Sequence, residues 1–245
     1  MVRTRDHEDK PGDSGHPPGL DTQTSCLPDD LEHHLRLLEA SGLTSSSIPQ
    51  ADFVDRVLAV VSKCEGKLDT IQWNDGGHGI AVGIAQWNQR RGELPFLIER
   101  WSQADPEKYK EIFKGLAARM HDEQFVRKAN ITRDSEIGKG IAQMVQERSF
   151  HEVEIQLMRE KVVKAIDVAH HYGHRSELFV AEVADIANQM GWKRTRQALK
   201  DSNVLHIKNE TKAIEALRQT VQDKRVHGQA RDQRLAEAFS PHKLV

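Results

Sequence analysis

The chain has 245 residues, a formal net charge of −2 and a mean hydropathy of −0.63. Its longest apolar runs are a handful of residues, far short of the about 20 that a bilayer-spanning helix needs, so no membrane span is predicted. The charged N-terminal residues lack the apolar core of a Sec signal peptide. Two cysteines are too few for a disulfide framework, and they are interpreted as free thiols of a protein folded in the cytoplasm, with a single bridge as the alternative.

The first 50 residues are predicted to precede the folded domain. Residues 1–27 are rich in Pro, Gly, Asp, Ser and His, so burial of apolar groups cannot offset the entropy of ordering them. Leucines at helical spacing predict a short helix over 29–40, and a Ser-rich linker follows it. We therefore predict a disordered acidic leader over 1–50, with a possible short helix, and a folded domain over 51–205.

Helical spacing of apolar residues dominates the predicted domain. A first helix is expected over 52–63, and two β-like segments, 67–73 and 79–86, flank an Asn-Asp-Gly-Gly turn that is typical of a hairpin. A charged helical C-terminal tail is expected over 206–245. The fold class is therefore α+β and mostly α-helical, with one small β-hairpin. The remaining predicted helices cover 94–102, 106–120, 123–129, 134–147, 150–171 and 177–190, the last being the buried central helix.

The region around the hairpin contains carboxylates that could cleave a glycosidic bond. Glu65 closes the apolar pattern of the first helix, and Asp75 opens a glycine-rich turn ten residues later. Glycosidic cleavage needs an acid that protonates the leaving oxygen and a carboxylate that acts as nucleophile or base. Apolar surroundings would keep Glu65 protonated as the acid, and Asp75 would be the second carboxylate, with Asp69 as the fallback. The structural alternatives are a solvent-exposed helix-end glutamate and an ordinary turn aspartate.

This order of residues resembles the active-site region of the lysozyme superfamily, where a glutamate at a helix end faces a short hairpin across a sugar-binding cleft. The turn at Asp75 is similar to that of phage-type lysozymes and family 46 chitosanases. Residues 83–86, Gly-Ile-Ala-Gln, are similar to a Gly-Leu-Met-Gln segment of goose-type lysozymes and lytic transglycosylases. The resemblance covers about residues 51–200. It implies a lysozyme-like fold, no cofactor, no metal and an amino-sugar polysaccharide as substrate.

The same resemblance implies residues that bind the sugar chain. Gln86 is the first of them, because the corresponding glutamine contacts substrate in the transglycosylases. Trp73 and Trp87 bracket the hairpin and could stack on sugar rings, with packing as the structural alternative. The complete set predicted to bind substrate is Gln86, Asp69, Trp87, Trp73, Asn88 and His78.

One departure from the resemblance leaves the mechanism open. Phage-type lysozymes and family 46 chitosanases hold the attacking water with a threonine just after the hairpin glycines. Ile80 and Ala81 occupy those positions here and have no hydroxyl group. The water would have to be held by Gln86 or Asp75, and an inverting hydrolase and a transglycosylase both remain open.

Peptidoglycan is the first predicted substrate, and chitosan is the second. Polycationic chitosan favours a cleft rich in carboxylates, whereas the hairpin region has few, and Arg90 and Arg91 lie just beyond it. A lysozyme-like module that binds glycans without cutting them is the non-enzymatic alternative. Because no Sec signal is visible, we expect the protein to act on the envelope after delivery by a phage holin or a contact-dependent machine, with an immunity protein as a partner.

Two further readings of the C-terminal half are disfavoured. Residues 183–199 superficially resemble a DNA-binding helix-turn-helix, but the position six residues beyond Gly191, which should be apolar, is Gln197. His170 and His174 have the spacing of metal ligands on a helix, but no further ligand accompanies them. Neither nucleic acid nor metal is therefore a predicted partner.

Overall fold

A computed structural model describes residues 51–225 and 227–245, and the predicted leader over 1–50 lies outside the described residues. Within this part of the chain the fold is α+β and mostly α-helical, as the sequence predicts. None of the described helices is long and apolar enough to cross a membrane. The helices are α1 (Ala51–Glu65), α2 (Glu93–Ala104), α3 (Pro106–Phe113), α4 (Ala117–Met120), α5 (Glu123–Lys128), α6 (Glu136–Met144), α7 (Arg148–His171), α8 (Glu177–Asp201), α9 (Glu210–Val221) and α10 (Gly228–Ala238).

The sheet lies between α1 and α2 in the chain and consists of three very short antiparallel strands. They are β1 (Ile71–Gln72), β2 (Ala81–Val82) and β3 (Trp87–Asn88), with β2 in the centre. The hairpin is thus confirmed, but its strands are shorter than predicted and β3 was missed. Positive φ angles at Gly79 (85°) and Gly83 (72°) bend the chain on either side of β2, which limits the length of regular pairing.

Helices α7 and α8 form the centre of the molecule and pack against each other. Helix α1 and helix α2 also pack on α7, while α9 and α10 pack on α8. Every residue of α8 from Glu177 to Asn188 is buried, which confirms the prediction of a buried central helix. The helix continues beyond the predicted end to Asp201, but Gly191 (φ 76°, ψ 159°) interrupts its helical geometry.

The predicted C-terminal tail is part of the packed fold rather than an appendage. Helix α9 buries Leu217 and Val221, and α10 buries Leu235. Helix α10 also contacts α1, where Arg234 Nη1 lies 3.3 Å from the backbone oxygen of Lys63. The C-terminal segment therefore supports the end of α1, next to the predicted acid Glu65.

Candidate active site

The end of α1 meets the turn between β2 and β3 of the hairpin region. Helix α1 ends at Glu65, and a Cβ atom added to the next residue, Gly66, would lie 3.2 Å from Nε2 of Gln86 and 3.2 Å from the side chain of Thr70. Two predicted site residues are thus neighbours, since Gln86 packs against the residue directly after Glu65. The side chain of Glu65 itself lies outside what the structure describes.

Gln86 is held in an unusual conformation. Its φ angle is 51°, in the left-handed region that non-glycine residues seldom adopt. Both its backbone N–H and its side-chain Nε2 donate to the carbonyl of Gly83, at 3.2 and 2.9 Å. No described residue donates a hydrogen bond to its half-buried side-chain oxygen. The local strain therefore fixes an amide that retains a free acceptor beside the end of α1.

Asp75 occupies the hairpin turn and is oriented by Asn88. Its Oδ2 atom accepts a hydrogen bond from Asn88 Nδ2 at 2.7 Å, and its backbone carbonyl accepts from His78 N at 2.7 Å. Asn88 is only 1% exposed, and its Oδ1 accepts from Arg91 N at 3.0 Å. Asn88 therefore holds Asp75 and the turn in place, a role different from the substrate contact predicted for it. His78 and the fallback carboxylate Asp69 are exposed.

Each tryptophan of the hairpin region carries a cation over its ring. The ammonium of Lys161, in α7, lies 4.6 Å from the ring centroid of Trp87, which is only 5% exposed. The guanidinium carbon of Arg133 lies 5.7 Å from the ring centroid of Trp73, and this tryptophan is half-buried. Trp73 is consequently the more accessible candidate for contact with a sugar, while Trp87 is mainly a packing residue.

Gln89 is a site residue that sequence reasoning missed. It is 1% exposed, its Oε1 accepts from Ile80 N at 3.2 Å, and its Nε2 donates to the carbonyls of Val126 and Ala129, both at 2.8 Å. A Cβ atom on Gly79 would lie 2.3 Å from Gln89 Oε1. This side chain thus fastens the hairpin to the end of α5. The sequence did not indicate its burial, because Gln89 is followed by Arg90 and Arg91 and such polar runs are typical of exposed loops.

Glu154 is a second missed residue, fully buried in α7 against the hairpin. A Cβ atom on Gly83 would lie 1.5 Å from its Oε1, so only glycine fits there. Neither carboxyl oxygen forms a well-aligned hydrogen bond with a described residue. Burial raises the pKa of Glu154 well above its usual range, and weaker contacts with the Ile84 backbone and the Trp87 indole oppose this only partly. Burial beneath the hairpin therefore favours the protonated form of Glu154.

A buried charge cluster lies where α8, α9 and α10 meet. Asp185 accepts hydrogen bonds from Arg225 and Arg231, and all three side chains are at most 5% exposed. Glu182, one turn earlier in α8, pairs with Arg218 of α9. Since Arg234 of α10 reaches the last turn of α1, the cluster holds the helices that support the candidate site.

Of the two histidines whose spacing suits metal ligands, His174 has structural partners. The Nε2 atom of buried His174 lies 2.9 Å from the carbonyl of Val204, and its Nδ1 lies 3.4 Å from Glu210 Oε2. His170 is in the last turn of α7. Across the described residues, no group of three or more His, Cys, Asp or Glu side chains is arranged to hold a metal ion.

Comparison with known proteins adds one finding on the fold. No family model matches the chain, and no curated protein matches it in sequence. A solved structure that it resembles is that of a glutamate-to-alanine mutant chitosanase from Bacillus subtilis, complexed with 6 GlcN. The match has a TM-score of 0.50 and 12% sequence identity, and it covers 80% of this chain and 86% of the chitosanase chain. The chain therefore has a chitosanase-like fold, which agrees with the lysozyme-like architecture expected from the sequence.

Proposed function

We propose that the protein is a glycoside hydrolase that cleaves β-1,4 bonds of an amino-sugar polymer. The observation that carries this proposal is the packing of Gln86 against Gly66, which brings the helix that ends at Glu65 to the glycine-rich hairpin. The chitosanase-like fold supports it, since that neighbour was solved with a glucosamine oligomer. The carboxylates Glu65 and Asp75 belong to the two elements that meet.

In the proposed mechanism Glu65 is the general acid and Asp75 is the second carboxylate. Glu65 protonates the glycosidic oxygen, while Asp75, with one oxygen held by Asn88, activates a water molecule on the other side of the sugar. The free acceptor of Gln86 replaces the missing threonine hydroxyl in holding that water. A lytic transglycosylase would need Glu65 but no water, because the sugar's own 6-hydroxyl attacks.

Peptidoglycan is the proposed substrate, and the charges around the hairpin favour it over chitosan. Arg133 and Lys161 lie over the two tryptophans, and Arg90 Nη1 donates to the carbonyl of Gly77 in the turn at 2.6 Å. Cations at these positions repel polycationic chitosan and attract the carboxylates of peptidoglycan. The chitosanase-like fold makes chitosan the second candidate.

Digestion of purified peptidoglycan and, separately, of chitosan tests this function, with mass spectrometry of the products. Reducing ends indicate hydrolysis and anhydro ends indicate transglycosylation.

We expect Glu65→Gln to lower turnover by about 10²-fold or more while sugar binding is kept, because the general acid is lost. The matched control is Glu107→Gln, whose side chain is 87% exposed in α3. Release of no product from either polymer, with binding unchanged in Glu65→Gln, would establish a glycan-binding module instead.

A further inference from the structure

Arg133 lies in the loop between α5 and α6 and contacts the hairpin through Trp73. Its guanidinium carbon is 5.7 Å from the centre of the indole ring. Arg133 is exposed, whereas Trp73 is half-buried and packs partly on the core. Trp73 precedes Asp75 by two residues, in the turn that carries the proposed second carboxylate. The pair therefore lies next to the candidate active site but has no role in the chemistry proposed above.

The loop that carries Arg133 is held in position by its own hydrogen bonds. Ser135 Oγ donates to the carbonyl of Thr132 at 2.8 Å and accepts from Gly138 N at 3.1 Å, which caps α6. A Cβ atom on Gly138 would lie 1.9 Å from the Thr132 carbonyl oxygen, so the turn packs tightly on α6. These contacts fix the backbone on the C-terminal side of Arg133.

The same loop is fastened to the hairpin on its other side. Buried Gln89, which follows β3, donates to the carbonyl of Ala129 at 2.8 Å, and Ile131 is buried in the core. The backbone on both sides of Arg133 is thus anchored, one side to the hairpin and the other to α6. A preorganised arginine loses less conformational entropy when it binds a ligand.

The guanidinium of Arg133 retains its hydrogen-bonding capacity. Within the described residues it has no carboxylate or carbonyl partner, in contrast to Arg127, which pairs with Glu123 at 2.9 Å, and Arg90, which binds the Gly77 carbonyl. A guanidinium that lies over an aromatic ring still presents its N–H donors in its own plane, and these match a carboxylate in a two-pronged geometry. The indole beside it offers an apolar surface to a sugar ring.

We propose that Arg133 and Trp73 form a subsite that binds an amino sugar whose substituent carries a free carboxylate, such as the peptide-bearing sugar of peptidoglycan. This inference rests on the proposed glycoside hydrolase function and names the group by which the enzyme recognises its substrate. Arg133 binds the carboxylate and Trp73 contacts the sugar ring. An uncharged or cationic amino sugar gains nothing from Arg133.

The test removes the two charges separately, one on the protein and one on the substrate. Peptidoglycan is digested before and after methyl esterification of its carboxylates, by wild type and by Arg133→Gln. On native peptidoglycan we expect Arg133→Gln to lower kcat/KM by about fivefold to tenfold, mainly through KM, as for a partly exposed charged hydrogen bond. On esterified peptidoglycan the variant and the wild type should be equal.

Arg119→Gln is the matched control, because Arg119 is also exposed and lies over an aromatic ring, that of Phe125 at 4.0 Å. It should behave as wild type on both substrates. Equal activity of Arg133→Gln and wild type on native peptidoglycan would overturn the subsite and leave the hydrolase function intact.

A binding measurement separates failure of the subsite from failure of the proposed catalysis. Calorimetric titration uses a tetrasaccharide of alternating N-acetylglucosamine and N-acetylmuramic acid whose muramic acid residues bear a stem dipeptide with a free carboxylate. The uncharged N-acetylglucosamine tetramer is the comparison. Tighter binding of the muramic acid compound, lost in Arg133→Gln, supports the subsite even if no polymer is cleaved. Equal binding of both compounds overturns it, whether or not the protein is an enzyme.

Discussion

Glu154 places a carboxyl group beneath the hairpin, where it is fully buried and contacts Gly83. Burial of the charged form is unfavourable, so the folded protein keeps this group protonated at a pH where the unfolded chain has already released the proton. The folded state then binds more protons than the unfolded state. It follows that this residue makes the protein less stable as the pH rises from its ordinary pKa, 4.5, towards its raised pKa.

Glu154→Gln tests this residue, because the amide has nearly the same shape but cannot ionise. At pH 4 to 5 we expect the variant and the wild type to have similar free energies of unfolding in urea. As the pH rises, the wild type should lose stability relative to the variant, by at most about 1.4 kcal/mol per pH unit. Glu160→Gln is the control, because Glu160 is on the same helix but its side chain is 46% exposed. Its free energy of unfolding should change with pH in the same way as that of wild type. If the stability of Glu154→Gln also changes with pH in the same way as that of wild type, the pKa of Glu154 is not raised in the folded protein.

The sequence contains a sign of the burial of Glu154, whereas it contains none for Gln89. Glu154 lies four residues after Phe150 and four before Met158, both buried, so it falls on the apolar stripe of α7. Gln89 lies in a polar run before Gly92, and its partners at Val126 and Ala129 are about forty residues away in sequence. Single-sequence patterns report neighbours along an element and not contacts between elements. Glu65 and Asp75 could be proposed because both lie at local features, a helix end and a glycine-rich turn.

At the scale of elements, the hairpin depends on contacts outside itself. Its strands have two residues each, and so short a sheet is not stable alone. Gln89 supplies one attachment, to α5, and the packing of Gly83 on Glu154 supplies another, to α7. The hairpin was predictable from its turn residues. Its strand lengths and β3 were not, because they depend on these attachments and on the bends at Gly79 and Gly83.

Gln89→Ala should weaken the attachment of the hairpin to α5. The variant leaves the buried Val126 carbonyl, the partly buried Ala129 carbonyl and the Ile80 N–H without this partner, which should lower the free energy of unfolding by about 1–3 kcal/mol. Hydrogen exchange of the Ile80 amide should become faster, since its acceptor is lost. The control is Gln103→Ala, which removes only an exposed bond to Glu99 in α2. If both variants unfold at the same urea concentration, Gln89 is not an anchor.

At the scale of the whole molecule, long-range charge pairs join the C-terminal helices to the centre. From the sequence, the segment after residue 205 is predicted to be a solvated charged tail, because Arg and Asp are seldom buried unless they are paired. The pairing partners, such as Asp185 with Arg231, are 46 positions apart in sequence and meet only in the fold. Sequence patterns therefore predicted the helical nature of this segment but not its packing on α8.

Asp185→Asn should destabilise the whole molecule, because it removes the buried negative charge between the guanidinium groups of Arg225 and Arg231, although Arg225 keeps its pair with Asp232. Removing one member of a buried ion pair typically costs about 3–5 kcal/mol. We expect a loss of this size in the free energy of unfolding in urea, and we expect proteolysis to cut first in α10, which is held to α8 through Arg231.

Asp201→Asn is the control, since Asp201 lies in the same helix and accepts only an exposed hydrogen bond from Gln197. A loss for Asp185→Asn no larger than that of the control would show that packing of Leu217, Val221 and Leu235 alone holds the C-terminal helices. A large loss, accompanied by weaker binding of amino-sugar oligomers, would show that the cluster also maintains the position of α1, through the contact of Arg234 with Lys63.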